Sequence, residues 1–242
     1  MKKVILSVLF AALLPQFLAF AQKETSPQMH SDAVLMPYRK TVVERMQYDA
    51  YAQANAATGN VSLVFMGDSI TDLWYGAHPD FFDGNGYIGR GIGGQTTIGV
   101  LARFRRDVVS LHPKAVVILC GINDIAQNDG IMKYEDAVDN IADMCDIARA
   151  NGIVPIVCSL TPCSAFFWNK DAVPAPEVVK MNDMLKAYAS MSGVRYIDYY
   201  NEMVDVETGG MKEGLSADGC HPTAKGYEIM ERVLSENIPE YL

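Results

Sequence analysis

Apolar residues fall along this chain as short runs, separated by longer stretches in which they recur every three or four positions. The runs lie at Val61 to Met66, around Tyr87 to Arg90, at Ala115 to Cys120 (AVVILC), at Ile153 to Ser159 (IVPIVCS) and at Val194 to Asp198 (VRYID). Between them the spacing predicts helices near Thr97 to Val109, Lys133 to Ala150, Glu177 to Ser192 and Ala224 to Glu236. One more amphipathic helix, carrying Tyr38, Val42, Met46 and Tyr51, is expected over Pro37 to Asn55, ahead of the first strand. The third and fourth runs show no polar alternation, which suits strands buried on both faces of a parallel sheet. Strand and helix alternate, so the expected fold class is α/β: a three-layer α/β/α, doubly wound parallel sheet of about five strands in flavodoxin-like order. In such sheets ligands sit beyond the carboxyl ends of the strands.

The N-terminus follows a different pattern. Lys2 and Lys3 precede an apolar stretch broken by Pro15, and Ala19-Phe20-Ala21 has the small-x-small form of a cleavage site. A signal peptide is therefore expected over 1–21, followed by a single domain over 22–242 with an N-terminal helical extension at about 37–56. No Cys follows the cleavage site to accept a lipid, and no other stretch is long and apolar enough to span a bilayer. The expected location is periplasmic or extracellular.

Charge narrows the partners. Lys and Arg number 20 against 29 Asp and Glu, a formal charge of −9. An acidic chain of this kind argues against nucleic acid or an anionic membrane surface, and favours a neutral substrate. The five cysteines (Cys120, Cys145, Cys158, Cys163 and Cys220) contain no C-x-x-C pair and accompany no histidine cluster, which argues against zinc. Cys120 and Cys158 sit in apolar runs and are expected as buried thiols. A bridge between Cys163 and Cys220, both in predicted loops, stays open.

Candidate chemistry begins at LVFMGDSITDLW, where a buried strand ends at a serine just before a plausible helix. Ser69 is either a helix cap or a nucleophile, and the second role needs a base, an orienting acid and oxyanion donors. Of the four histidines, His30 lies in the N-terminal tail, His78 in a loop, and His112 just ahead of the third strand, at the wrong edge of the sheet. His221, in LSADGCHPTAKGY, follows the last strand and is the histidine expected on the same side as Ser69. Asp218, three residues upstream, can fold back to the imidazole Nδ1–H, although Asp-Gly alone also reads as an ordinary turn. The glycines of GYIGRGIGGQTT allow backbone N–H groups to approach a ligand. Gly89, Gly91 and Gly94 spell G-x-G-x-x-G, but no acidic residue ends a following strand, so a dinucleotide site is not indicated. Asn123, after the third strand, either closes a turn or offers a side-chain donor. Neither a P-loop nor a G-x-S-x-G elbow occurs.

Four blocks, GDSIT around Ser69, GIGGQ around Gly94, GIND around Asn123 and DGCHP around His221, together resemble those of the SGNH (GDSL-type) hydrolases, in the right order and across nearly the whole of 22–242. The GIGGQTT variant is most similar to the branch with platelet-activating-factor acetylhydrolase-like proteins and bacterial carbohydrate esterases. The resemblance implies Ser69 as nucleophile, His221 as base and Asp218 as its orienter. It implies an oxyanion hole from the N–H groups of Ser69 and Gly94 and the side chain of Asn123, with no metal or organic cofactor. Asp68 and Asp124 flank these positions and are assigned no chemistry.

For substrate, Trp74, Phe166, Phe167 and Trp168 are candidate pocket residues, with closure of the core as the equal alternative. Export and acidity favour a short-chain ester, with O-deacetylation of carbohydrate as the leading expectation. A lysophospholipase or general acylhydrolase is the alternative, and a glycan-binding module on the same fold is the non-enzyme alternative. The oligomeric state is not readable.

Overall fold

The computed structural model describes residues 44–241. The expected signal peptide, His30 and the first part of the expected N-terminal helix lie outside the described residues. Among the described residues five strands form one sheet: β1 (Leu63–Gly67), β2 (Tyr87–Gly91), β3 (Ala115–Leu119), β4 (Val154–Cys158) and β5 (Arg195–Ile197). Their order is β2-β1-β3-β4-β5, parallel throughout, as the flavodoxin-like expectation required. β1 and β3 are buried along their whole length, which is why neither shows alternation.

The helices are α1 (Ala52–Ala57), α2 (Ser69–Ala77), α3 (Pro79–Asp83), α4 (Thr97–Asp107), α5 (Ile122–Ile125), α6 (Tyr134–Ala150), α7 (Pro174–Ser192), α8 (Tyr199–Met203) and α9 (Ala224–Asn237). α4, α6 and α7 pack in series on one face, and α2 packs with α9 on the other. Among the described residues no helix is long and apolar enough to cross a membrane. The helix expected to run through Asn55 is interrupted: residues 44–46 are helical, Gln47 takes φ 46°, and helix resumes at α1. A side chain at positive φ cannot continue a right-handed helix, and nothing in the apolar spacing marks that reversal.

The register sets up the site. Gly67 stands level with Gly91 on β2 and Leu119 on β3, so the loops after three adjacent strands leave the same edge at the same height. Two glycines permit this closeness. A Cβ on Gly91 would lie 2.2 Å from the Asp72 nitrogen and 2.5 Å from the Asp68 carbonyl oxygen, and one on Gly67 would lie 2.2 Å from the Leu119 carbonyl oxygen. The start of α2 therefore rests directly on the backbone of β2.

Candidate active site

Ser69 is the first residue of α2, and its own N–H has no carbonyl within the helix to bond. The capping role that serine often fills here belongs to Asp68, whose carboxylate accepts the Ile70 N–H at 3.0 Å. The Ser69 hydroxyl is thereby left for the opposite partner, His221 Nε2, at 2.8 Å.

His221 is presented by a closed turn. Gly219 takes φ 88°, Ser216 pairs with Pro222 across the turn, and Thr223 caps α9 by accepting the Gly226 N–H. Asp218 gathers this turn around one carboxylate. It accepts the backbone N–H groups of Cys220 at 2.9 Å and His221 at 2.8 Å, and its second oxygen lies 2.6 Å from His221 Nδ1. Burial works to raise the Asp218 pKa, but the bonds from the His221 backbone, the imidazole and the Cys220 N–H outweigh it and hold the carboxyl below its ordinary value. An ionised acceptor at Nδ1 fixes that nitrogen as the proton carrier, so Nε2 presents its lone pair to Ser69.

Gly94 and Asn123 line the same cleft of about 250 Å³ as Ser69 and His221, together with Asn128, Phe167 and Trp168. Gly94 takes φ 77°, a conformation that a side chain would strain. Asn123 is buried; its Nδ2 donates to the Gln95 carbonyl at 3.0 Å and its Oδ1 accepts from Asn128 Nδ2 at 2.8 Å. One Nδ2 hydrogen remains, and with both ends of the amide fixed its direction is fixed too. The arrangement can deprotonate an alcohol and receive a developing alkoxide.

The aromatic candidates divide. Phe167 and Trp168 are 64% and 38% exposed and lie with ring centroids 6.5 and 6.1 Å from that of His221. Phe166 is 1% exposed and lies beneath Trp168 at 4.9 Å; it supports the cleft without lining it. Trp74 is a correction of the same kind. It is 1% exposed, stacks on Phe81 and Tyr227, and its Nε1 donates to Glu231 of α9 at 2.9 Å. Five positions after Ser69 is well past one helical turn, so Trp74 points away from the Ser69 side and faces the sheet and α9, where the apolar face of α2 must go. His78 also bonds Glu231, at 2.7 Å, and His112 closes a 3-10 turn before β3, away from the cleft.

Asp124, given no chemistry from sequence, accepts the Thr97 N–H at 2.9 Å and its hydroxyl at 2.7 Å, which pins the start of α4 to α5, the short helix that carries Asn123. Burial pushes its carboxyl up to about 6 against those two bonds, and pushes that of Asp68 up to about 7. Cys163 and Cys220 are free, buried thiols within hydrogen-bonding reach of each other.

Two residues escaped the sequence reading. Arg103, fully buried, bonds the Gly67 carbonyl at 2.8 Å, Gln95 Oε1 at 2.7 Å and Asp107 at 2.8 Å, tying the end of β1 to the Gly94 loop. Its signal was present: Arg103 and Asp107 stand four apart on the face of α4 that carries Val100 and Phe104. Asn128 had none, because Asn-Asp-Gly reads as a turn.

A doubly wound parallel sheet with a hydroxyl, an imidazole and a carboxylate joined at its carboxyl edge defines a class of α/β hydrolytic scaffold. Comparison with known proteins specifies it. The family model of GDSL-like lipase/acylhydrolases matches residues 65–229. A GDSL-like lipase from Bacteroides thetaiotaomicron is 40% identical, with 82% of this chain and 100% of that one covered at a TM-score of 0.78. A proposed acylhydrolase from Bacteroides fragilis is 41% identical over 81% of this chain and 97% of that one, also at 0.78. An uncharacterized lipoprotein of Bacillus subtilis, YqeF, is 24% identical, with 59% of this chain and 69% of that protein covered. The chain belongs to the GDSL-like lipase/acylhydrolase family, and it is an ester hydrolase.

Proposed function

We propose that this esterase removes short acyl groups, acetyl above all, from carbohydrate, using Ser69 as nucleophile, His221 as base and Asp218 as its orienter. The observation that carries the reading is the continuous series of contacts from Asp218 through His221 to Ser69, 2.6 and then 2.8 Å, opening on a cleft that contains Gly94 and Asn123. Ser69 Oγ attacks the ester carbonyl carbon as its proton passes to His221 Nε2. The carbonyl oxygen becomes an alkoxide received by the Ser69 and Gly94 N–H groups and the free Asn123 hydrogen. Collapse of that intermediate expels the alcohol, which takes the proton from Nε2, and leaves an acyl-serine. Water, deprotonated by the same nitrogen, then releases the acid.

The size of the cleft supports a short acyl group. Its volume of about 250 Å³ lies below the roughly 300–1,000 Å³ of clefts that enclose drug-sized ligands. Phe167 and Trp168, exposed beside His221, offer flat apolar faces where a sugar ring can rest. Export belongs to the same proposal, supported by the residues of the expected signal peptide and by the name of the Bacillus relative, a lipoprotein. The substrate would then be an acetylated glycan outside the cytoplasm.

The test is a p-nitrophenyl ester series from acetyl to palmitoyl, followed by acetate release from acetylated oligosaccharides, on the wild type and Ser69→Ala. Rates should peak at acetyl and vanish in the variant. A peak among long acyl chains would support a lysophospholipase instead, and turnover that survives Ser69→Ala would remove Ser69 from the chemistry.

A further inference from the structure

The side chain of Asn128 has one acceptor and two donor hydrogens, and each has a partner that matters to the cleft. Nδ2 donates to the Gly94 carbonyl at 3.0 Å and to Asn123 Oδ1 at 2.8 Å, while Oδ1 accepts from Trp168 Nε1 at 2.9 Å. The orientation is forced. Turned the other way, the amide would set its oxygen against two oxygens and its N–H groups against an indole N–H, which has no acceptor to give.

The loop is built to hold this position. Gln127 and Gly130 take φ values of 59° and 99°, folding the chain back so that the Asn128 N–H donates to the Asn123 carbonyl at 3.1 Å. Arg45 donates to the Asn128 carbonyl at 2.6 Å and pairs with Asp129, which also accepts the Thr96 hydroxyl at 2.6 Å. A non-glycine residue at positive φ costs free energy that the surrounding contacts must offset. Here those contacts all converge on residue 128 and its neighbour.

We propose that Asn128 is the positioning residue of the active site, aligning both the Gly94 and Asn123 oxyanion donors and fixing the Trp168 ring over the cleft through a single amide. Asn128 donates nothing to the substrate in this role; it acts through Asn123, Gly94 and Trp168. Its loss frees the Asn123 amide at Oδ1 and releases the indole, so both the transition-state step and substrate binding suffer. The inference rests on the oxyanion role proposed for Asn123.

Steady-state kinetics on p-nitrophenyl acetate and an acetylated oligosaccharide, for wild type, Asn128→Ala, Asn128→Asp, Asn123→Ala and the Asn123→Ala/Asn128→Ala double variant, test it. Asn128→Ala should lower kcat by roughly 10- to 100-fold, less than the loss of an oxyanion donor itself, and raise KM for the oligosaccharide. Asn128→Asp keeps an acceptor for Trp168 but sets a carboxylate oxygen against two carbonyl oxygens, so its kcat should fall at least as far with KM closer to wild type. In the Asn123→Ala background, Asn128→Ala should cost clearly less in kcat than it does in the wild type, the remainder being the part that passes through Gly94, since residues that act through one another are not additive. Thermal melts check that the variants are folded. Wild-type kcat in folded Asn128→Ala and Asn128→Asp, beside a crippled Asn123→Ala, overturns the inference and leaves the proposed hole intact. Multiplying losses in the double variant overturn it too. Wild-type kcat in Asn123→Ala overturns both the hole and the inference.

Discussion

Asn123 commits one hydrogen to Gln95 and its oxygen to Asn128, which leaves a single N–H aimed by contacts that exist before any substrate arrives. Preorganised donors of this kind are the ones that accelerate acyl transfer, because no dipole has to turn as charge develops. Asn123→Ala is expected to lower kcat roughly 100- to 1,000-fold with little change in KM, measured on p-nitrophenyl acetate. A kcat within twofold of wild type would take Asn123 out of the hole. That Ser69, Asp218 and His221 come together could be read from the sequence because each stands in a short recognisable block, and Asp218 reaches His221 within one turn. Trp74 and Phe166 could not. An aromatic residue near a catalytic block has the same spelling whether it faces solvent or sheet, and for Trp74 the decision lay with Glu231, far along the chain on α9.

Strands β1, β3 and β4 were legible because burial writes itself as uninterrupted apolar runs, and alternation with helices narrowed the order to a few topologies, of which the flavodoxin-like one is found. Short helices were not: α3, α5 and α8 have four or five residues each, too few for a period to register. The break at Gln47 was hidden because its cause is tertiary, with Tyr51 OH bonding the Gly91 carbonyl and Gln95 Nε2 bonding that of Met46. The contact of α2 with β2 gives a sharp element-level test. Gly91→Ala drives a methyl group into the backbone of Asp68 and Asp72, which cannot swing aside as a side chain can. A loss of about 1–3 kcal/mol in urea unfolding is expected, toward the upper end, with the m-value unchanged. Gly59→Ala, where nothing stands within 4 Å of the added carbon, is the control and should leave the midpoint where it was.

Asp68 and Asp124 give the folded protein as a whole a pH dependence of unusual sign for carboxylates. Burial raises them to about 7 and about 6, so the folded chain holds protons that the unfolded chain, near the ordinary 3.8, has already released. Their contribution to stability is complete below the unfolded value and is lost as pH rises through the two folded values. Each carboxyl that is protonated in the fold and ionised in the unfolded chain gives a slope of about 1.4 kcal/mol per pH unit. Asp218, held below its ordinary value, works in the other direction but in more acid solution. The melting temperature should therefore fall between about pH 4 and pH 7 and level off above that, and Asp68→Asn should flatten the fall. A melting temperature that climbs across the same interval, equally in wild type and Asp68→Asn, would overturn the assignment of a proton to Asp68 in the fold. No reading of the sequence alone gives this, since Asp68 looks like any helix-capping acid until its burial is known.

The hydroxyl and imidazole that meet at 2.8 Å are separated by 152 positions of chain. During synthesis the alcohol therefore emerges long before its activating partner has been translated, and on the proposed mechanism no fragment ending short of His221 can attack an ester. On that mechanism biosynthesis supplies its own safety catch, since the hydrolase is armed when the loop bearing His221 docks.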